Sequence, residues 1–413
     1  MAIPLKQTLI IWMICLNLVS GCIQGQAENS TCLEPTLAGS MAQNPVQEPI
    51  LLFPIVRNRK WGFIDVTGKV VIEPKLNYTE GFSEERAAFN NGNGKWGFID
   101  PTGRVVIQPQ FDKGDQFYEQ RAAVKIGEKW GFIEPQGKFI IQPRFTQVSR
   151  FFEGRAAVEN GYLWGFIDRD GKFIVEPKFT GYTDFSEGLA GFDMSQNNQD
   201  KTGFIDRSGK VVIELEDINP ELEGVGFQNG LAPVWVRSPG IWRFIDSILI
   251  ESGRGRKFWG FIDRSGKVAI PLKYDSVIGF SECLAPVKTG GKWGFINTSG
   301  KMVIQSQFVD LPSGFSEGLA SVKINQKEGY IDKTGKIVIE PQFSLAARFS
   351  EGLAAVQIEE GGKWGFIDRT GKMVIAPQFD DSGLFSKGLA QVKIYGKWGY
   401  IDKTGKYIWY PTN

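Results

Sequence analysis

A ten-residue sequence motif recurs through most of the chain and constrains its fold more than any other feature. Between Lys60 and Tyr400 the sequence returns ten times to approximately Lys-Trp-Gly-Phe-Ile-Asp-x-x-Gly-Lys. Successive copies are 35, 34, 34, 38, 57, 34, 35, 36 and 34 residues apart. A period of this length indicates repeated units that are stacked in line or arranged around an axis. The glycine after the tryptophan falls at Gly62, Gly97, Gly131, Gly165, Gly203, Gly260, Gly294, Gly329, Gly365 and Gly399.

Each unit is predicted to form three antiparallel β-strands. In the last unit, strand A covers Leu389 to Lys393, strand B covers Trp398 to Asp402, and strand C covers Lys406 to Tyr410. All three segments are rich in β-branched and aromatic residues and are bounded by turn residues. The Asp-x-x-Gly between strands B and C indicates a type I turn followed by a glycine with positive φ, as at Gly371. Proline after strand C, as at Pro377, is expected to end the pairing of that strand.

The units resemble the WG-repeat family of bacterial proteins, whose repeats are also called KWG repeats. The resemblance covers Leu52 to the C-terminus and implies a β-repeat protein, without a common catalytic site. One unit shows the whole pattern, in Phe349, Ser350, Glu351, Gly352, Leu353, Ala354, Val356, Lys363, Trp364, Gly365, Phe366, Ile367, Asp368, Gly371, Lys372, Val374, Ile375, Pro377 and Phe379.

The ten units are expected to form an all-β, open superhelical array of three-stranded antiparallel units. The array begins at Leu52 and ends at Asn413, so each terminus supplies a complete unit. A closed β-propeller often completes one blade with strands from both termini, and it typically has about 4–8 blades of four strands. A β-propeller remains the alternative, including two propellers of five units each.

The N-terminal segment differs from the repeats and indicates export. An apolar run from Leu9 to Val19 is too short for a comfortable membrane span and predicts a signal peptide over 1–21. The sequence Val19-Ser20-Gly21-Cys22 resembles a bacterial lipobox, which implies lipidation of Cys22. A plain secretory signal and an uncleaved anchor are the alternatives. Residues 22–51 are expected to be a flexible tether, and 52–413 the repeat array.

Composition narrows the classes of function. The chain has 47 Lys and Arg against 46 Asp and Glu, spread through every unit, so it lacks the basic stripe of a nucleic-acid-binding protein. Histidine is absent, which removes the commonest general base and metal ligand. Of the four cysteines, Cys15 would leave with the signal peptide and Cys22 would carry lipid, so only Cys32 and Cys283 remain, too few for a disulfide scaffold. Cys283 stands where other units have glycine and is expected to be a small turn residue, rather than a partner of Cys32.

Three recurring patterns have a structural and a chemical interpretation. The Gly-x-Ser-x-Gly at Gly314 to Gly318 is a product of the repeat, because a hydrolase elbow needs a helix and a histidine partner. The aspartate that ends strand B is expected to accept backbone hydrogen bonds rather than to bind calcium, which needs about 6–8 oxygens. The recurring tryptophans are expected to be core residues, with a sugar-binding ladder as the alternative. No catalytic residue, metal or cofactor is predicted.

The sixth unit contains an insertion that is expected to take part in binding. The 57-residue step indicates an extra hairpin near 242–258, and insertions in repeat proteins map to surface loops. Its cations Arg243, Arg254, Arg256 and Lys257 are the candidate binding residues. The predicted function is a non-enzymatic lipoprotein, facing the periplasm or the exterior, that binds an envelope protein or cell-wall polymer. The alternative is a glycan- or peptidoglycan-binding module with exposed aromatic residues.

Overall fold

The computed structural model describes residues 51–196, 199–216, 218–220, 226–237 and 257–410. In these ranges the protein is all-β, with 38 strands in ten antiparallel sheets and no helix. Each sheet is built from one continuous stretch of chain, and consecutive sheets are numbered here as blades one to ten. The predicted strands A, B and C are confirmed in every blade. Eight blades also have a two- to six-residue strand before strand A.

The strands of the first five blades are as follows. Blade one is β1 (Phe53–Arg57), β2 (Lys60–Ile64) and β3 (Val70–Leu76); blade two is β4 (Tyr78–Thr79), β5 (Ala87–Asn90), β6 (Trp96–Ile99) and β7 (Val105–Phe111); blade three is β8 (Lys113–Tyr118), β9 (Arg121–Ile126), β10 (Lys129–Ile133) and β11 (Phe139–Phe145); blade four is β12 (Gln147–Val148), β13 (Ala156–Asn160), β14 (Leu163–Ile167) and β15 (Phe173–Phe179); blade five is β16 (Gly181–Tyr182), β17 (Leu189–Gln196), β18 (Gln199–Asp206) and β19 (Val211–Leu215).

The remaining blades repeat this order. Blade six is β20 (Asn219–Pro220), β21 (Leu231–Arg237), β22 (Lys257–Asp263) and β23 (Val268–Tyr274); blade seven is β24 (Ser276–Val277), β25 (Leu284–Thr289), β26 (Lys292–Asn297) and β27 (Met302–Phe308); blade eight is β28 (Leu319–Ile324), β29 (Lys327–Asp332) and β30 (Ile337–Phe343); blade nine is β31 (Leu345–Ala346), β32 (Leu353–Gln357), β33 (Trp364–Asp368) and β34 (Met373–Phe379); blade ten is β35 (Asp381–Ser382), β36 (Leu389–Ile394), β37 (Lys397–Asp402) and β38 (Tyr407–Trp409).

The glycine of the Trp-Gly pair is required by a bulge in strand C. Strand C continues through Pro377, so the expectation that this proline ends pairing is wrong: Trp364 lies opposite Phe379 and Phe366 opposite Ile375, with a register shift between them. The bulge brings the strand C backbone against strand B. A Cβ added at Gly365 would lie 2.6 Å from the Ile375 carbonyl oxygen and 2.8 Å from Pro377 N. Any side chain at Gly365 would therefore displace the backbone.

The core is divided into clusters that lie between neighbouring blades. Phe366 of blade nine packs against Phe385 of blade ten, with ring centroids 5.0 Å apart, in a cluster that also contains Ile375 and Val392. The same aromatic contact, at 4.8–5.2 Å, joins each of the nine pairs of consecutive blades. Because each blade buries one face against the next, no blade has a complete core of its own.

Blades one and ten also pack together, which closes the array into a ring. Tyr400 of blade ten packs edge-to-face on Phe53, with centroids 5.5 Å apart, and its hydroxyl donates to the Pro54 carbonyl at 3.0 Å. The Arg57 guanidinium lies 4.7 Å from the centre of the Trp409 ring. We call this contact the seam. Unlike a shared blade, the seam contains no β-ladder between the described strands of the two terminal blades.

The architecture is therefore a ten-bladed β-propeller. This confirms the propeller alternative and corrects the open superhelical array that the sequence favoured. It is one ring of ten blades and not two of five. The open array was favoured because each terminus supplies a whole blade, which removed the usual sign of closure. Contacts between blades one and ten supply the closure instead.

Candidate functional site

The aspartate at the end of strand B holds the following turn, as predicted. Asp368 Oδ1 accepts hydrogen bonds from Thr370 N at 2.9 Å, Thr370 Oγ1 at 2.6 Å and Lys372 N at 3.1 Å. The Thr370 hydroxyl and these backbone N–H groups keep the pKa of the Asp368 carboxyl below its usual value. Gly371 follows with φ of +85°, which confirms the expected positive φ. The same carboxylate contacts occur at Asp65, Asp100, Asp206, Asp263, Asp332 and Asp402.

The glutamate of the Phe-Ser-Glu-Gly turn joins one blade to the next at seven of the nine junctions between consecutive blades. Glu351 has φ of +54°, in a tight turn between Ser350 and Leu353, which form a β-bridge. Its carboxylate accepts from the Gly388 backbone N–H, at the equivalent turn of blade ten, at 3.0 Å. The same carboxylate-to-amide bond, at 2.8–3.0 Å, joins Glu84 to Glu119, Glu119 to Gly154, Glu153 to Gly188, Glu187 to Gly230, Glu282 to Gly318 and Glu317 to Gly352. We call this series the glutamate belt.

The glutamate belt accounts for charges that could otherwise be taken for functional groups. Basic residues just after strand B neutralise its carboxylates: Arg169 pairs with Glu119 at 2.8 Å and Lys403 with Glu351 at 3.1 Å. The serine before the glutamate adds a second link, as Ser350 Oγ donates to the Phe385 carbonyl at 2.7 Å. Sequence reasoning missed this role. The signal was present as a glutamate at the same place in successive units, but its partner lies one unit further along the chain.

The recurring tryptophans lie at the ends of the blades where strands A and B are joined. Most are half-buried; Trp293 is only 7% exposed, whereas Trp398 is 39% exposed. The half-buried ones pack against the inter-blade clusters, as Trp364 and Trp130 do. The half-buried indoles therefore have the expected core role for part of their surface, while the remaining part faces solvent. Together the recurring tryptophans form a row that we call the tryptophan row: Trp61, Trp96, Trp130, Trp164, Trp259, Trp293, Trp364 and Trp398.

Residues that face the tryptophan row from strand A differ from blade to blade. Each lies directly opposite the strand B position that is tryptophan in eight blades, Thr202 in blade five and Glu328 in blade eight, so its side chain lies beside that residue. In chain order these residues are Val56, Asn90, Lys125, Glu159, Asp193, Trp235, Lys288, Lys323, Gln357 and Lys393. Lysine occupies four of these ten positions and the other six all differ, whereas the scaffold residues repeat, so the surface beside the tryptophan row varies around the ring.

Blade six has the most aromatic of these surfaces. Trp235 lies opposite Trp259, with ring centroids 6.3 Å apart and planes tilted by 48°. Lys257 Nζ lies 3.8 Å from the centre of the Trp235 ring, and Arg237 Cζ lies 5.9 Å from it. Both cations are exposed. A cation over an indole face is attracted by the ring quadrupole, so this arrangement holds positive charge against a flat apolar surface.

Of the four predicted binding residues, Lys257 belongs to a described strand. Lys257 is the first residue of β22 and belongs to the surface of blade six. Arg243, Arg254 and Arg256 lie outside the described residues, as does Cys22. Cys283 forms a disulfide bond, so the expectation that it is only a small turn residue is wrong. The other cysteines, Cys15, Cys22 and Cys32, lie outside the described residues.

A second polar cluster surrounds Arg150, on the turns of blades two to five. Asp115 lies 3.4 Å from Arg150 Nε, and Arg150 Nη1 donates to the Tyr118 hydroxyl at 2.8 Å. Burial raises the pKa of Asp184 to about 6, against the effects of a hydrogen bond from Ser149 and of the nearby Arg150 charge. Burial, and then the Asp115 charge, also raise the pKa of Glu80. One guanidinium thus serves several half-buried carboxyl groups.

Two kinds of site are not found in the part of the chain that the structure describes. No group of three or more histidine, cysteine, aspartate or glutamate side chains there is arranged to hold a metal ion. The same residues include no helix long and apolar enough to cross a membrane.

The ring resembles several solved structures of low sequence identity. Solved structures that resemble the ring include BamB from Moraxella catarrhalis (8% identity, 87% of this chain and 90% of that chain, TM-score 0.31), the dihydro-heme d1 dehydrogenase NirN (13%, 79% and 73%, 0.36) and virginiamycin B lyase from Staphylococcus aureus (13%, 80% and 92%, 0.26). None of these likenesses is close enough to inform function. No curated protein matches the sequence significantly.

A protein-family model matches most of the repeat array. The "WG containing repeat" model matches eight segments, at residues 61–96, 96–130, 130–164, 164–195, 259–293, 293–327, 329–363 and 364–398. These segments make up more than half of the chain and coincide with the strands that hold the tryptophan row and the bulge at its glycines. The protein therefore belongs to the WG-repeat family.

Proposed function

We propose that this protein is a non-enzymatic binding protein of the cell envelope, which presents the tryptophan row to another protein or to an envelope polymer. The proposal is based on one observation: in each blade the repeated residues form the scaffold, and the residues that vary between blades lie beside the tryptophan row. The repeated Asp, Glu and Gly residues are occupied in turns, in the glutamate belt and at the bulge. The positions that vary, such as Trp235 and Gln357, lie beside the tryptophan row. Repeat proteins commonly bind through such an extended surface.

The chemistry of the same residues supports a non-enzymatic role. The chain has no histidine, and its recurring carboxylates accept backbone hydrogen bonds or pair with basic side chains. A general acid or base needs a group free to exchange a proton with substrate. The repeated acids are committed to the scaffold, so we assign them no catalytic step.

Anchoring in the envelope is the second part of the proposal and depends on Cys22. The lipobox-like sequence before Cys22 supports lipidation, which would place the ring at a membrane surface on the periplasmic or exterior side. We expect a fatty-acid analogue to label the full chain and not Cys22→Ser, with the variant released from the membrane fraction. Equal labelling of the two proteins would remove the anchor from the proposal.

The binding role is tested by envelope co-purification with the full chain as bait. Residues 237–257 contain five basic and two acidic residues, so blade six is the favoured place of contact. We expect excision of residues 247–258 to leave the β-rich circular dichroism intact and to reduce the recovery of envelope partners. Excision of the blade nine tip, residues 359–362, is the matched control. Recovery of the same partners by both variants would contradict the assignment to blade six.

A glycan-binding function is the second candidate, and the exposure of the tryptophans favours it. Trp398 is 39% exposed with Lys393 Nζ 5.4 Å from its ring centre. Exposed indole faces can stack on sugar rings, whereas a buried core tryptophan cannot. A glycan array probed with the full chain separates the two candidates, since a protein-binding surface has no reason to select particular sugars.

A further inference from the structure

We infer that the Trp235, Trp259 and Lys257 surface of blade six binds an acidic polysaccharide, with sugar rings on the indoles and uronate carboxylates on the cations. The inference rests on the proposed binding function and names the chemical class of its ligand. It concerns only residues of β21 and β22.

The aromatic part of the surface is unusual within the ring. Trp235 is the only tryptophan among the ten strand A residues that face the tryptophan row, all of which belong to described strands. Trp235 and Trp259 are both half-buried, so each ring is anchored by packing and keeps part of its surface open. Two adjacent indoles offer flat apolar area, which suits the C–H faces of successive sugar rings.

The two cations of the surface lack a carboxylate partner among the described residues. Lys257 and Arg237 lie on the Trp235 ring, and neither forms an ion pair with a carboxylate of the described residues. By contrast, Lys201 of blade five pairs with Glu214 at 2.9 Å and Lys95 of blade two with Asp112 at 2.7 Å. An anionic ligand that reaches Trp235 would therefore meet two exposed cations that no carboxylate of the described residues neutralises, and these cations can donate charge-assisted hydrogen bonds.

Blade seven repeats the same pairing of ring and cation. Lys288 lies opposite Trp293, with its Nζ 5.8 Å from the ring centre. Because Trp293 is only 7% exposed, blade seven would contribute its cation and not a stacking face. A polymer of successive acidic sugars could stack on blade six and place a carboxylate near Lys288, whereas an acidic peptide offers charge without a series of flat rings. Nucleic acid also combines rings with charge, but a net charge of +1 gives this chain little of the attraction that phosphate binding needs.

Binding of defined oligomers to the full chain in detergent tests the inference. The probes are hexamannuronate, neutral cellohexaose and oligothymidylate, measured by isothermal titration calorimetry at two salt concentrations. We expect hexamannuronate to bind most tightly and its affinity to fall with added salt, because Lys257 and Arg237 neutralise its charge. Tighter binding of oligothymidylate, equal binding of cellohexaose, or no binding of hexamannuronate would each overturn the inference.

Variants assign the binding to blade six. We expect Trp235→Ala to weaken hexamannuronate binding about tenfold and Lys257→Gln about fivefold, with a smaller salt dependence for the second. Tyr410→Ala, which removes an exposed aromatic side chain outside the tryptophan row, and Lys201→Gln, in blade five, are controls that should change affinity less than about twofold. Because Lys257 is exposed, its variant tests the inference even where Trp235→Ala disturbs packing. Parental affinity in Lys257→Gln, with unchanged salt dependence, would refute it.

A wrong ligand class can be distinguished from failure of the proposed binding function. If hexamannuronate does not bind while recovery of envelope partners still depends on Trp235, the ligand class is wrong and the binding role stands. If recovery is also independent of Trp235, the proposed function itself loses its site.

Discussion

Removal of one carboxylate of the glutamate belt should loosen the junction of two blades by a measurable amount. The Glu351 carboxylate accepts from the backbone N–H groups of Lys387 and Gly388 and pairs with Lys403 Nζ at 3.1 Å. In Glu351→Ala the two N–H groups lose a charged acceptor within a tight turn. We therefore expect the turn of blade ten to open more readily and the junction with blade nine to weaken.

The size of the effect follows from these contacts. A hydrogen bond to a charged group contributes about 1.5–3 kcal/mol to stability, and an exposed ion pair about 0–1 kcal/mol. The Glu351 side chain is 30% exposed, so water can replace part of what is lost. We expect Glu351→Ala to lower the free energy of unfolding by about 2 kcal/mol, and Glu351→Gln by about half of that, since the amide keeps one acceptor oxygen.

Urea unfolding and hydrogen exchange provide the assay. Exchange should quicken at the Lys387 and Gly388 amides in Glu351→Ala, ahead of amides in blades two and three. Glu360→Ala is the matched control, because Glu360 is an exposed residue at the tip of the same blade's A–B hairpin. A shift in Glu351→Ala no larger than that of Glu360→Ala, with unchanged exchange at Gly388, would refute the reasoning.

Three further predictions concern other parts of the ring. Gly371→Val should destabilise the protein by more than 1 kcal/mol, measured by urea unfolding, because Gly371 has φ of +85° and an added Cβ would lie 2.9 Å from Ile339 Cγ2; an unchanged midpoint would contradict the turn. The pKa of Asp184 is raised to about 6, so folding binds a proton between about pH 4 and 6 and stability falls as pH rises through that window. Asp184→Asn should therefore be more stable than the parent at pH 7, by up to about 3 kcal/mol, with no difference below pH 4; a pH-independent difference would contradict this. Tyr400→Phe should cost about 1 kcal/mol through loss of the hydrogen bond to Pro54, seen as faster exchange in blades one and ten, and slower or equal exchange there would argue against the seam.

Features set by neighbouring residues in the chain could be predicted from the sequence. Strand B is apolar on both faces and ends in Asp-x-x-Gly, so its existence and the turn at Gly371 followed from local chemistry. The two-residue strand at Tyr78–Thr79 could not be predicted, because a segment so short has no period. Pro377 was misread for a related reason: its missing N–H is harmless in a bulge, and a bulge is visible only when both strands are in place.

Features that depend on contacts between residues far apart in the chain could not be predicted from the sequence. Ring closure joins Tyr400 to Pro54, which lie 346 positions apart. No period within the repeats indicates this contact, because it arises from the small rotation between blades summed around the ring. The aromatic surface of blade six could not be predicted for the same reason. Trp235 and Trp259 are visible in the sequence, but their direct pairing requires the register across residues that intervene between β21 and β22.

The seam has a consequence for how firmly the two ends of the chain must hold each other. Nine junctions between blades are crossed by the chain itself, whereas blades one and ten meet, among the described residues, through packing contacts such as those of Phe53, Tyr400 and Trp409. The intervening blades keep these surfaces close, so they meet at a high effective concentration and lose little further freedom on contact. A modest interface is then enough to close the ring, while the same two surfaces on separate molecules would have to overcome the full entropy of association. The geometry of eight intervening blades, more than the strength of the seam, therefore favours closure within one chain over the linking of different copies.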